Sequence, residues 1–140
     1  MAAQNHTVDK EIYPTQFDVA VGGCFGPTFT VRLDEDKLVY EKSSGAYSLG
    51  KAQSIRPTGE QWARFWDEID VIGAWRWRPL YEKAGEEGAH WYVHISVNDH
   101  IVTSEGDGAF PGNDTGSGPS KEFERFLTAL RELLGGVELW

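Results

Sequence analysis

One helical pattern is written twice in this chain. Trp62-Ala63-Arg64-Phe65-Trp66-Asp67-Glu68-Ile69 is answered by Phe123-Glu124-Arg125-Phe126-Leu127-Thr128-Ala129-Leu130, 61 residues further on. Upstream of each helix, Gly45-Ala46-Tyr47 returns as Gly108-Ala109-Phe110 after 63 residues, so both echoes keep nearly one register. Such spacing points to a duplicated unit, with halves at about 13–73 and 74–136. A hairpin with one helix cannot bury its own apolar side, whereas two such halves sharing a sheet make a single domain of 140 residues.

Strand signals precede the first helix. Phe17, Val19 and Val21 alternate with Asp18 and Ala20 up to Gly22-Gly23, and Phe29, Val31 and Leu33 alternate with Thr30 and Arg32. Asp34-Glu35-Asp36 reads as a solvated turn before Leu38-Val39-Tyr40. After a Ser/Gly-rich stretch over 43–57, Thr58 and Gln61 have the spacing of a capping box. Trp62, Phe65, Trp66 and Ile69 then share one face of a helix over 58–71, which Gly73 ends.

In the second half, Trp75-Arg76-Trp77-Arg78 alternates and is expected as a short strand stopped by Pro79, followed by an acidic loop from Tyr81 to Gly88. Trp91, Val93, Ile95 and Val97 form the clearest strand, with His90, Tyr92, His94 and Ser96 opposite. Asn98-Asp99 turns the chain into a return strand over 101–104. A Gly-rich loop fills 104–118, and a helix over 120–134 follows, capped by Gly135-Gly136 and trailed by an extended tail, 137–140. Strands, helix, strands, helix is an α+β order. The expectation is an antiparallel sheet of about six strands with two helices on one face and the other face open.

Composition narrows the chemistry. Six Trp, five Tyr and seven Phe must dominate the core. A net charge of −9 disfavours nucleic acid and anionic membrane surfaces while permitting a basic protein partner. Cys24 alone offers no intrachain disulfide, the first ten residues are polar, and no run approaches the length of a membrane span, so the expected location is cytoplasmic.

No residue set carries a catalytic signature. His90 and His94 lie about 13 Å apart along a strand, too far to share one metal ion, and His100 belongs to the other side of the sheet. Cys24 in a Gly-rich loop reads as a small buried thiol rather than a nucleophile. Asp107, Asn113 and Asp114 do not match a calcium loop, no phosphate-binding Gly-Lys-Ser/Thr is present, and Glu86-Glu87 and Asp34-Glu35-Asp36 read as solvated turn charges. Neither metal nor cofactor is expected.

The reading that follows is a non-enzymatic protein-binding module of inhibitor, immunity or adaptor type. Its contacts would be Arg32, His90, Tyr92 and His94 on the open face and Asp107 on the 104–118 loop. An alternative is a small-ligand binder or enzyme with a pocket at Trp75, Trp77 and His94, those two tryptophans forming an exposed aromatic patch. A second alternative is self-association into a homo-oligomer through a strand edge.

Overall fold

A computed structural model describes residues 13–22, 27–44, 47–48, 50–82, 90–111 and 120–139. The strands are β1 (Gln16–Gly22), β2 (Thr28–Asp34), β3 (Lys37–Ser44), β4 (Tyr47–Ser48), β5 (Gln53–Ile55), β6 (Leu80–Glu82), β7 (His90–Val97) and β8 (His100–Asp107). The helices are α1 (Gly59–Ile72) and α2 (Lys121–Leu133), with a 3₁₀ turn at Ala74–Arg76. The fold is α+β. All eight strands join one mixed sheet in the spatial order β4-β3-β2-β1-β7-β8-β6, with β5 also on β3.

Each helix begins where its cap chemistry dictates. Thr58 Oγ1 accepts from the Gln61 amide at 3.1 Å while Gln61 Oε1 accepts from the Thr58 amide at 2.8 Å, so two otherwise orphaned N–H groups are satisfied reciprocally. Gly73 ends α1 at φ 72°, a left-handed conformation that glycine adopts without Cβ strain. Ser120 caps α2 by accepting from the Phe123 amide at 3.1 Å.

Period-two alternation sorts the strands into two faces. Phe17, Val19, Val31, Trp91, Val93 and Ile95 point toward the helices and are buried. Trp62 from α1 and Phe123 from α2 join the same hydrophobic cluster, and Phe65 meets Phe126 ring to ring at 6.2 Å across the helix pair. The C-terminal segment docks on β3: Leu139 is buried, Tyr40 donates to the Glu138 carbonyl at 2.6 Å, and Lys42 Nζ lies 3.1 Å from Glu138 Oε1.

Several expectations are corrected. Among the described residues the sheet has eight strands, roughly the expected number, but β6 runs parallel to β8 rather than antiparallel. The stretch 43–57 contains β4 and β5, which cover opposite ends of the outer edge of β3. The alternating Trp75-Arg76-Trp77-Arg78 is no strand, because the left-handed Gly73 starts i+3 hydrogen bonds, Arg76 N to Gly73 O at 3.0 Å and Trp77 N to Ala74 O at 3.1 Å. The two rings consequently diverge. Trp75 stacks on Trp66 and donates to Asp70 Oδ1 at 2.7 Å. Trp77 is buried among Trp91, Phe123 and Phe126, so the pair forms no exposed aromatic patch.

At the offset of the two echoes, β2 and β3 correspond to β7 and β8, each pair an antiparallel hairpin that precedes a helix. The strand before each hairpin differs: β1 pairs antiparallel with β2, whereas β6 runs parallel to β8. Gly45 and Ala46, two of the three residues in the first copy of the second sequence echo, lie outside the described residues.

Candidate functional site

The face of the sheet turned away from α1 and α2 carries the polar half of every alternating strand. Strand register arranges these side chains in rows. Val39, Arg32, Asp18, His94 and Thr103 form one row across β3, β2, β1, β7 and β8. The next holds Glu41, Thr30, Ala20, Tyr92 and Glu105, extended onto β6 by Leu80. The third holds Ser43, Thr28, Gly22, His90 and Asp107, extended by Glu82.

Asp18 is the centre of the first row. Tyr92 Oη donates to Asp18 Oδ1 at 3.1 Å, and the His94 ring lies 5.1 Å from the Tyr92 ring. Burial, followed by the Asp18 charge and the hydrogen bond to it, raises the Tyr92 phenol above its ordinary value. Tyr40, on the helix side, is raised by burial and then by Glu138, with Lys42 acting the other way.

These two phenols set a testable pH dependence. Because their folded pKa values exceed the unfolded one of about 10, the unfolded chain loses its protons first. The stability they supply is complete below about pH 10 and is lost as pH rises through the folded values. Urea midpoints measured between pH 9 and 11.5 should fall toward the alkaline end. The Tyr40→Phe/Tyr92→Phe double variant should flatten that slope, and an unchanged slope would refute the assignment.

The third row ends in a contact read across adjacent strands. His90 Nδ1 lies 3.2 Å from Asp107 Oδ1, the partner opposite it in register. Glu82 stands beside the same Asp107 from the parallel strand β6. Between these rows runs an open groove of about 470 Å³, lined by side chains of Glu82, His90, Tyr92, Glu105 and Asp107 together with Leu80. Its floor is low because β1 contributes only Ala20 and Gly22 there.

The anticipated contacts Arg32, His90, Tyr92 and His94 all lie on this face, the first two exposed and the last two half-buried. Asp107 joins them from a strand, not from a loop, since β8 runs through it. The start of the expected loop is tied to the core: Trp91 Nε1 donates to the Ala109 carbonyl at 2.9 Å and Phe110 stacks on Trp91. The remainder, 112–119 with Asn113 and Asp114, lies outside the described residues, as do Cys24 and Glu86-Glu87.

Trp75, Trp77 and His94 line no common pocket, because His94 is on the open face while Trp77 is in the core on the other side. His100 ends a stack in which Trp62, Trp66 and Trp75 follow one another at 5.5 and 6.0 Å and the imidazole lies 5.2 Å from Trp75. Among the described residues no group of three His, Cys, Asp or Glu side chains is placed to hold a metal ion, and no helix is long and apolar enough to cross a membrane. Sequence reasoning missed Glu82 and Glu105. Glu105 continues the alternation of Thr103 and Asp107 and was open to that signal, whereas Glu82 reaches the site only through the three-residue pairing of β6.

The sequence matches no family model, and neither a curated protein nor a solved structure gives a significant match.

Proposed function

We propose that this chain is a non-enzymatic protein-binding module that presents the open sheet face to a basic protein partner. One observation carries the reading: among the described residues that face bears six carboxylates, Asp18, Asp34, Glu41, Glu82, Glu105 and Asp107, against the two cations Arg32 and Lys37. An excess of one sign on a broad polar surface steers oppositely charged partners and repels a second copy of the same face. Tyr92, Arg32 and the histidines supply anchors of the kind that dominate interfaces. The same reading takes the two hairpin-and-helix halves as copies of one unit. Support comes from the meeting of Phe65 with Phe126, which hold the same place in the two helical echoes.

Site-specific photocrosslinking in the native host tests this. A photoreactive residue at Thr30 or Thr103 should capture a protein with a basic contact surface, and one at Thr128 on α2 should not. Capture from Thr128 alone, or a partner with an acidic contact surface, would overturn the proposal.

A further inference from the structure

We infer that the groove beside β6 seats an arginine side chain of that partner, an assignment that rests on the protein-binding reading and specifies its chemistry. The shape is set by the sheet itself. Gly22 offers no side chain, and a Cβ placed there would come within 2.5 Å of Thr28 Oγ1, so Thr28 leans over the position and fixes the floor. At about 470 Å³ the groove falls within the roughly 300–1,000 Å³ of sites that hold extended organic groups.

Charge selects the occupant. Glu82, Glu105 and Asp107 line the groove, and among the described residues its lining holds no Lys or Arg. Glu82 and Asp107 stand directly opposite each other in the parallel β6–β8 register, a like-charge pair that weakens a sheet unless something cationic comes between. Asp107 has His90 as a neighbour, whereas the carboxylates of Glu82 and Glu105 have no hydrogen-bonded or ionic partner among the described residues. A cation entering here gains attraction from all three carboxylates and relieves their mutual repulsion.

The walls favour guanidinium over ammonium. Carboxylates on two neighbouring strands suit a planar fork of donors, and Tyr92 and His90 in the lining are aromatic side chains of the kind on which a guanidinium stacks. Leu80, 49% exposed at the rim, gives the aliphatic stem an apolar surface. The acidic excess continues beyond the groove to Asp18 and Glu41, across more surface than a free small cation covers, so the arginine belongs to a protein.

The test uses the full chain, isotopically labelled, at low salt. Blocked Gly-Arg-Gly peptide is titrated against it alongside the Gly-Lys-Gly and Gly-citrulline-Gly counterparts. The arginine peptide should shift the amides of Gly22, His90 to Tyr92 and Glu105 to Asp107. Its affinity should exceed that of the citrulline peptide by about tenfold or more, the loss expected when a charge-assisted bond is removed. The Glu82→Gln/Glu105→Gln variant, its fold verified by the same spectrum, should weaken binding by a similar factor.

Equal binding of arginine and lysine, survival of binding in the double variant, shifts scattered along Asp34 and Glu41, or no binding at all would each overturn the assignment. Crosslinking from Thr103 without arginine selectivity leaves the sheet-face reading standing and removes this one. Arginine selectivity in the groove with crosslinks only from Thr128 does the reverse.

Discussion

Phe123→Ala is expected to lower unfolding free energy by about 3–5 kcal/mol, the usual cost of emptying a large aromatic site in a core. Phe123 is fully buried and stands where several segments of the chain after residue 76 meet. Its ring lies 4.8 Å from Trp91, 5.0 Å from Phe110, 6.1 Å from Trp77 and 6.0 Å from Phe126. Those neighbours come from β7, from the segment after β8, from the segment after the 3₁₀ turn and from α2 itself, so no single movement can refill the cavity. For a domain whose net stability is about 5–15 kcal/mol, that loss removes a large share of the whole. Urea denaturation followed by tryptophan fluorescence measures it. A loss below 1 kcal/mol would show that the four rings do not converge as described.

Gly106→Ala is the second, with an expected loss of about 3 kcal/mol from overpacking combined with a broken hydrogen bond. Gly106 lies opposite Trp91 in register, and a Cβ there would overlap Nε1 and Cε2 of the indole and come within 2.5 Å of the Ala109 carbonyl. Both groups belong to the same hydrogen bond, so the indole must leave its acceptor or the 108–111 segment must lift off the core. Gly73 makes the contrast clear. Nothing lies within 4 Å of a Cβ there, and its alanine variant should lose only the roughly 1–2 kcal/mol of a left-handed backbone. Pairing Gly106→Ala with Trp91→Leu should recover part of the loss, because the clashing atoms are gone, and a double-mutant cycle reads that coupling directly. Strict additivity would contradict the steric account.

Local signals were legible in the sequence wherever one residue fixes its own geometry. Thr58 with Gln61 marked the start of α1, and the alternation of Trp91, Val93 and Ile95 placed His90, Tyr92 and His94 on the far face before any strand order was known. What the chain concealed was set by long-range pairing. Asp18 reads as an ordinary outward residue until β1 lies between β2 and β7, when it acquires Arg32 on one side and His94 on the other. β6 was invisible for a related reason. Three residues carry too little period to register as a strand, and Tyr81 gains its place by burial against Trp91 rather than by local propensity. Trp75 and Trp77 misled because a tight 3₁₀ turn and a strand can share the same short alternation, and the backbone of Gly73 decides between them.

The seam between β1 and β7 has a consequence for synthesis of the chain. Every pairing inside the first half can form as soon as residue 55 has emerged, since β2, β3 and β5 lie in unbroken succession. The inner margin of β1 must wait until His90–Val97 is made, leaving a row of apolar residues and unsatisfied amides open on the nascent polypeptide. That interval is when the newborn molecule is most prone to stick to its neighbours, and it ends only as the ribosome delivers the matching ribbon.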